Sequence, residues 1–326
     1  MTEWRYWLNE QRGTLMGLAI FVIMFAVYIV NHPAGLTANV AQTAANKGVL
    51  LAFVAMAQAM VVITAGIDLS VGMIFVLTNC LASWIVVGTP MQTTFGVFGV
   101  LLAGALCGAI NGLLVIKGRL QPIVATIATG AIYFGIALLL RPFPGGAVNE
   151  DLGDAMTGQF FGIIPSSLIV LLGAVLLVWL PFSRSETGRA AYAAGSAEAA
   201  AFMSGVPIRR AKLAAYILAG LLAGMGGLFL TFFTYTGEAA YASGSGYTLW
   251  SIAAVVLGGV SLYGGRGSAI GAIFGAFAAR TTGDMLFVFD VDPLWQPLLQ
   301  GIVLLIAISI GAVGLLRVRN RLDWFL

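Results

Sequence analysis

Charged residues are scarce in this chain: Asp, Glu, Lys and Arg make up 9% of its 326 residues, while hydrophobic side chains make up 60%. A soluble domain carries about 25% charged residues because they face water, so this composition excludes one and indicates a polytopic membrane protein. Histidine is almost missing too. The single one, His32, stands beside Pro33 at the end of an apolar run, the setting of a span terminus rather than of a ligand. Cys80 and Cys107 lie within apolar runs without metal-ligand spacing and read as small core residues, not as a disulfide or reactive pair. No serine or cysteine has a base close by in sequence, so no catalytic residue and no metal is expected. Neither a P-loop nor a nucleotide-binding glycine pattern occurs, so energy from ATP has to come from another chain. The formal net charge of +3 does not indicate nucleic acid, because the basic residues sit in short loops and chain ends, where they set membrane orientation.

Long hydrophobic runs are what the chain does have. Crossing roughly 30 Å of hydrocarbon takes about 20 helical residues, and about ten stretches qualify as spans of an all-α membrane protein: Thr14 to Val30, Asn46 to Ala65, Ser70 to Val87, Phe95 to Ile116, Pro122 to Leu140, Gly162 to Leu180, Leu213 to Thr234, Leu249 to Leu262, Ala269 to Phe289 and Leu294 to Leu316. The eighth is short. The first follows Arg5 and Arg12 and is not followed by an A-x-A site, so it is expected to be a retained span rather than a signal peptide. With the N-terminus in the cytoplasm, the inner segments collect the basic residues, including Lys117, Arg119, Arg184, Arg189, Arg209, Arg210, Lys212, Arg266, Arg317, Arg319 and Arg321. Only Lys47, Arg141 and Arg280 fall elsewhere, and the outer loops receive Glu150, Asp151, Asp154, Glu238, Asp284, Asp290 and Asp292. The positive-inside rule is thereby satisfied with both termini and the loop 183–212 cytoplasmic. The outer segment Arg141 to Phe161 is long enough to fold over a mouth and too short for its own core. Residues 1–326 are expected to form one transmembrane domain.

The loop Ser183 to Lys212 carries a short helix signal. Ser196 is placed as an N-cap, Glu198 lies in the first turn where the helix dipole favours an anion, and Gly205 with Pro207 stops the helix after about two turns. Ala199, Phe202, Met203 and Val206 fall at i, i+3, i+4 and i+7, an apolar face too small to hold itself folded in water. Such a helix needs a groove on another protein. The plainer alternative is a loop whose basic residues only fix topology; the helix signal favours docking. Glycine is abundant, with 42 residues, much of it at small-xxx-small spacing as in Gly104, Gly108 and Gly112 or Gly267, Gly271 and Gly275, which reads as close helix packing in lipid. Two glycine clusters differ. Ala65 to Gly72 sets Asp68 and Ser70 between two apolar runs, and Leu257 to Ser268 sets Arg266 in a break that begins at Gly258. Ionisable residues near membrane depth are costly and functional by default, so Asp68, Ser70, Gly258 and Arg266 are structural or gating candidates. An Asp68 to Arg266 ion pair and separate capping by local backbone are both open.

The stretches GIDLSVG (66–72), NGLLVIKGRLQPIVATIATG (111–130), GRAAYAAGSAEAAAFMSGV (188–206) and GSGYTLWSIAAVVLGGVSLYGGRGSAIG (244–271) together resemble the membrane permeases of bacterial ABC importers for ribose, arabinose, xylose, galactosides and related sugars. The resemblance covers nearly the whole chain in the right order. It implies a multi-pass inner-membrane subunit that does no covalent chemistry and pairs with a second permease, itself or a paralogue. It further implies docking on cytoplasmic ATP-binding subunits that carry ATP and Mg, and receipt of sugar from a periplasmic binding protein. Residues Gly195 to Gly205 would be the helix that couples to the ATPase, with Gly195, Ser196, Glu198, Ala199, Phe202, Met203 and Gly205 as its contact and shaping residues. The connection between spans six and seven resembles that of importers with about ten spans per subunit, such as the vitamin B12 permease. The pathway would lie along the permease interface, lined by small, hydroxyl and amide groups as suits a neutral polyol; Gln58, Thr64, Asn79, Thr126 and Thr129 are candidates, and each could equally satisfy a helix backbone. The chain departs from the family pattern at Gly195-Ser196-Ala197, at Thr248 and at Thr281-Thr282-Gly283, which leaves the sugar open. Two readings remain beside this one. One is a permease of the same class for an amino acid, a nucleoside or a signalling sugar derivative. The other is an ion-driven transporter with two broken segments, against which stands the lack of an acidic pair within the spans.

Overall fold

The computed structural model describes residues 3–295 together with positions 298, 299, 301, 302, 305 and 309. Most of the expected tenth span and the basic residues Arg317, Arg319 and Arg321 lie outside the described residues. In chain order the elements are α1 (Glu3–Asn31), α2 (Ala38–Ile63), α3 (Val71–Ile85), α4 (Pro90–Ile116), α5 (Pro122–Leu140), α6 (Glu150–Thr157), the hairpin β1 (Gln159–Phe160) and β2 (Ile164–Pro165), α7 (Ser166–Ala174), a π turn (Val175–Trp179), α8 (Leu180–Arg184), α9 (Glu186–Ser196), α10 (Glu198–Met203), α11 (Ile208–Thr234), α12 (Tyr241–Leu257) and α13 (Ala269–Val288). Their starts are written locally. Thr89 and Gln92 form a capping box around Pro90, Thr37 accepts from the Val40 amide, and Pro122 opens α5 at a position where its missing amide costs nothing.

Six helices among the described residues are long and apolar enough to cross a membrane: Gln11–Asn31, Ala38–Ile63, Pro90–Ile116, Pro122–Leu140, Ser166–Arg184 and Ile208–Thr234. The fifth, Ser166–Arg184, is continuous through its π turn. From Gly48 to Ile63 α2 is buried on all sides, as a central helix must be. It is wrapped by α3, α7, α11, α12 and α13, whereas α1 lies at the edge against α13. Between α4 and α11 the small-xxx-small expectation holds: a Cβ on Gly108 would stand 2.1 Å from the Tyr216 carbonyl oxygen, and one on Gly220 would stand 2.2 Å from that of Gly104. Only hydrogen permits that backbone approach.

Two expected spans need correction. α3 has 15 residues, about 22 Å at 1.5 Å per residue, short of a full crossing. Being enclosed by α4, α5, α11 and α12, it has no need to match the lipid thickness. The eighth span was set at Leu249 to Leu262, whereas α12 begins at Tyr241 and ends at Leu257. Its polar residues are absorbed by back-bonding, Thr248 to the Gly244 carbonyl at 3.0 Å and Ser251 to that of Thr248 at 2.7 Å. Gly259, at φ +75°, then closes the helix, its amide reaching Val256 O while the Val260 amide reaches Val255 O, the paired bonds of a Schellman stop.

The two ends of the bundle carry opposite charge. At one end lie the α2–α3, α4–α5 and α12–α13 connections and the loop 183–212 with its arginines. At the other, Arg141 holds the segment 141–161 onto the end of α3 through Ser83, with Nε to Oγ and Nη2 to the carbonyl both at 2.9 Å. Gly145 bridges Gly237, Asn46 and Gln42 bind the Thr157 carbonyl, and the Tyr235 hydroxyl donates to Asp154, a bond that, ahead of burial, raises the phenol above its ordinary pKa. The segment Arg141 to Phe161 is thus fastened to α2, to the end of α3 and to the residues after α11.

Candidate functional site

The loop 183–212 forms two helices joined at a corner. Ser185 caps α9, its Oγ accepting from the Gly188 amide at 3.0 Å. α9 is alanine-rich and runs on through Ser196, whose hydroxyl donates to the Tyr192 carbonyl at 2.9 Å. Ser196 is therefore not the N-cap that its position in the sequence suggests: Ala197 occupies that position, at φ −160° and ψ 90°, with no side chain to offer. α10 is consequently six residues long, shorter than two turns. It ends as expected at Gly205, φ +75°, with Gly205 N to Phe202 O and Val206 N to Ala201 O both at 3.0 Å, a second Schellman stop. Val206 folds back with Ala194, Ala201 and Ile208 into a small cluster, so it leaves the expected outward face. Ala199, Phe202 and Met203 remain on it, Phe202 71% and Met203 85% exposed. Glu198 accepts from Lys212 Nζ at 2.7 Å, tying α10 to the start of α11.

The same corner touches both glycine-rich breaks. The Gly265 amide donates to the Ile63 carbonyl at 2.9 Å, and Gly195 is pressed against both groups of that bond. The Tyr192 hydroxyl donates to the Gly267 carbonyl at 2.6 Å. Three separate sequence motifs thus converge: the end of α9, the end of α2 and the turn 264–267. Gly258 has a packing role there, with a Cβ standing 2.1 Å from the Gly271 carbonyl oxygen, which brings the end of α12 onto the start of α13.

One step further in lies a buried polar node. Asp68, fully buried, accepts from the Ser70 amide at 2.8 Å and its hydroxyl at 2.7 Å. Asn111 Nδ2 donates to Ser70 Oγ at 2.7 Å and to Asp68 Oδ2 at 3.3 Å. The Tyr133 hydroxyl donates to the Cys107 carbonyl at 2.9 Å and lies 3.1 Å from Asn111 Oδ1. Arg266 is exposed and forms no ion pair with Asp68; the carboxylate is satisfied by neutral donors within its own turn and from α4. Thr126 Oγ1 receives the Leu69 amide and Thr248 Oγ1 that of Gly72. The break before α3 is so held by α4, α5 and α12 together. Asn111, Tyr133 and Thr248 were not among the residues singled out for this node. An amide in the middle of an apolar run was the available signal for Asn111.

The pathway candidates separate. Thr64, Thr126 and Thr129 donate their hydroxyls to carbonyls of their own helices. Asn79 joins α3 to the end of α11 through Thr231 Oγ1 at 2.9 Å and the Glu238 amide at 2.9 Å. Gln58 is different: it is fully buried in the middle of α2, and neither polar atom of its amide has a hydrogen-bond partner among the described residues.

The chain is similar to several import permease proteins. The ribose import permease protein of Bacillus subtilis (strain 168) is 34% identical over 304 residues, 92% of each chain. The ribose import permease protein of Escherichia coli (strain K12) is 31% identical over 310 residues, 93% of this chain and 94% of its own. The fructose import permease protein of Rhizobium meliloti is 33% identical over 269 residues, 80% of this chain and 74% of its own. No solved structure matches. The family model described as branched-chain amino acid transport system / permease component matches residues 40–308. With that match and these relatives, the chain belongs to this family of multi-pass membrane transport permeases.

Proposed function

We propose that this chain is the permease subunit of an ATP-driven, binding-protein-dependent importer that carries a small sugar across the bacterial inner membrane. The observation that carries the reading is α10: a six-residue helix at the corner of a basic loop that holds Phe202 and Met203 out to solvent. Large apolar groups displayed this way call for a partner surface, and this chain has no nucleotide-binding motif of its own. That partner is a cytoplasmic ATPase, which carries ATP and Mg; a second permease copy or paralogue and a periplasmic binding protein complete the assembly. In this reading the chain has about ten membrane segments as in the vitamin B12 permease type, the enclosed α3 being one of the short ones, with both termini and α10 in the cytoplasm and the segment 141–161 outside. The segregation of basic and acidic loops supports this orientation.

Movement of α10 with its ATPase turns α9, whose end is seated between Ile63 and the turn 264–267. The break at residues 64–70 therefore moves with it, and the Asp68 node passes the displacement to α4 and α5. Two discrete packings of these helices, facing opposite sides, supply alternating access. Gln58, with its uncommitted amide, is the candidate that meets solute when the bundle opens. Sugar as cargo is supported by relatives aligned over most of their length that import ribose and fructose. The family description names branched-chain amino acid transport, which makes such an amino acid the second reading. An ion-driven mechanism is less well supported, since Asp68 is held by Ser70 and Asn111 and Asp284 is paired with Lys47. The test is uptake into vesicles holding this permease with its ATPase and binding protein. Labelled ribose or fructose should enter with ATP, and leucine should not. Accumulation driven by an ion gradient through the permease alone would overturn the reading.

A further inference from the structure

A cavity of about 380 Å³ opens between α1, α2, α7 and α13, floored by Phe21, Phe25 and Phe277 and rimmed by Leu36 and Leu168. It belongs to neither the loop corner nor the polar node. Nearly all of its lining is apolar, so it cannot repay the desolvation of a sugar's hydroxyls. The rim residues Leu36 and Leu168 are themselves exposed, as are Val22, Ile23 and Val30 on the neighbouring face of α1. A mouth of that composition, at the edge of the bundle, faces hydrocarbon rather than water.

One part of the lining is charged. Arg280 and Asp284 stand one turn apart on α13 at the cavity wall, roughly 12 Å or less from the end of their helix at 1.5 Å per residue. Lys47 reaches Asp284 Oδ1 at 3.2 Å and so neutralises it. Arg280 is held only loosely: its Nη2 makes an i,i+4 ion pair with the same oxygen at 3.9 Å, beyond hydrogen-bond length, and its Nε is buried with no acceptor among the described residues. The cluster therefore carries one excess positive charge on a guanidinium whose five donors are the fork that binds phosphate in a bidentate manner. A cation at this depth is costly unless paired.

We propose that this cavity is a binding site for an anionic glycerophospholipid, with an acyl chain lying against Phe21, Phe25 and Phe277 and the phosphate taken by Arg280. Charge complementarity selects the headgroup class, and the apolar mouth selects a lipid over a soluble anion. The bound lipid fills the cavity and supplies the Arg280 Nε with the acceptor that the described residues do not.

Full-length protein purified in a neutral detergent provides the test, with native mass spectrometry and thermal shift as readouts and phosphatidylglycerol, phosphatidylcholine and inorganic phosphate as probes. Phosphatidylglycerol should be retained about tenfold more strongly than phosphatidylcholine, the size expected of one charge-assisted contact, and should raise the melting temperature where inorganic phosphate does not. Arg280→Gln should abolish the preference. Leu168→Trp, which narrows the mouth and leaves every charge in place, should weaken retention of both lipids, and it keeps the test decisive if Arg280→Gln fails to fold. Equal retention of both lipids by the wild type, stabilisation by inorganic phosphate alone, or loss of permease pairing rather than of lipid in Leu168→Trp would each overturn the proposal.

Discussion

Gly195 is packed against the carbonyl oxygen of Ile63 so closely that a Cβ on it would stand 2.0 Å from that oxygen, and 2.6 Å from the Gly265 amide nitrogen. Ile63 is the last residue of α2, the buried axis of the bundle, and Gly195 is the penultimate residue of α9. The exposed loop and the central helix are therefore in direct backbone contact.

Because the atoms in the way are backbone, they cannot swing aside as a side chain would. Gly195→Ala should cost about 1–3 kcal/mol by overpacking, read as a lower melting temperature in detergent. Gly173→Ala, on α7 with nothing within 4 Å, is the control and should be neutral or slightly stabilising, since alanine is the better helix former.

Asn111 is the only residue of α4 that donates to Asp68. Asn111→Leu leaves part of the carboxylate and the Ser70 hydroxyl short of a partner and should cost about 1–3 kcal/mol. A double-mutant cycle with Asp68→Asn should show a coupling of about 0.5–3 kcal/mol, measured by thermal unfolding; additive effects would show that the node does not act as a unit.

Gln58 offers the opposite case. A fully buried amide without partners is a cost to folding, so Gln58→Leu should raise stability by about 1 kcal/mol or more while lowering sugar uptake. Gain of stability with full uptake would remove Gln58 from the pathway.

Topology is open to thiol labelling, because Cys80 and Cys107 are both buried and give little background. A cysteine at Asp151 should react from outside the cell, and one at Ser204 only after the membrane is opened. Both positions are exposed. A Ser204 cysteine labelled from outside would invert the orientation.

How far residues alone carry the reading varies from element to element. Pro122 to Leu140 is the helix expected, to the residue, since a proline opens it and Arg141 follows its last apolar position. α10 was legible in its charge, its Gly205 stop and its outward Phe202 and Met203. Its start was not, because Ser196 is equally served by the Tyr192 carbonyl behind it and the helical continuation of α9 wins. α12 was displaced because hydropathy penalises Ser243, Ser245 and Thr248, whereas a helix hides a hydroxyl such as that of Thr248 on its own carbonyl. The partners of Asp68 were the hardest to see. Asn111 is 43 residues away, and nothing local distinguishes a carboxylate waiting for Arg266 from one already satisfied by its own turn.

The central claim is that α10 is the element that engages the ATPase, and Phe202→Ala tests it most directly. Phe202 is 71% exposed, so its loss should leave folding unchanged, whereas a buried aromatic anchor at an interface contributes about 2 kcal/mol or more. The measurement is co-purification of the ATPase together with stimulation of ATP hydrolysis by loaded binding protein. Phe202→Ala should lose roughly thirtyfold in ATPase affinity and most of the stimulation, with Gly173→Ala unaffected. Normal assembly and normal stimulation in Phe202→Ala would contradict the account.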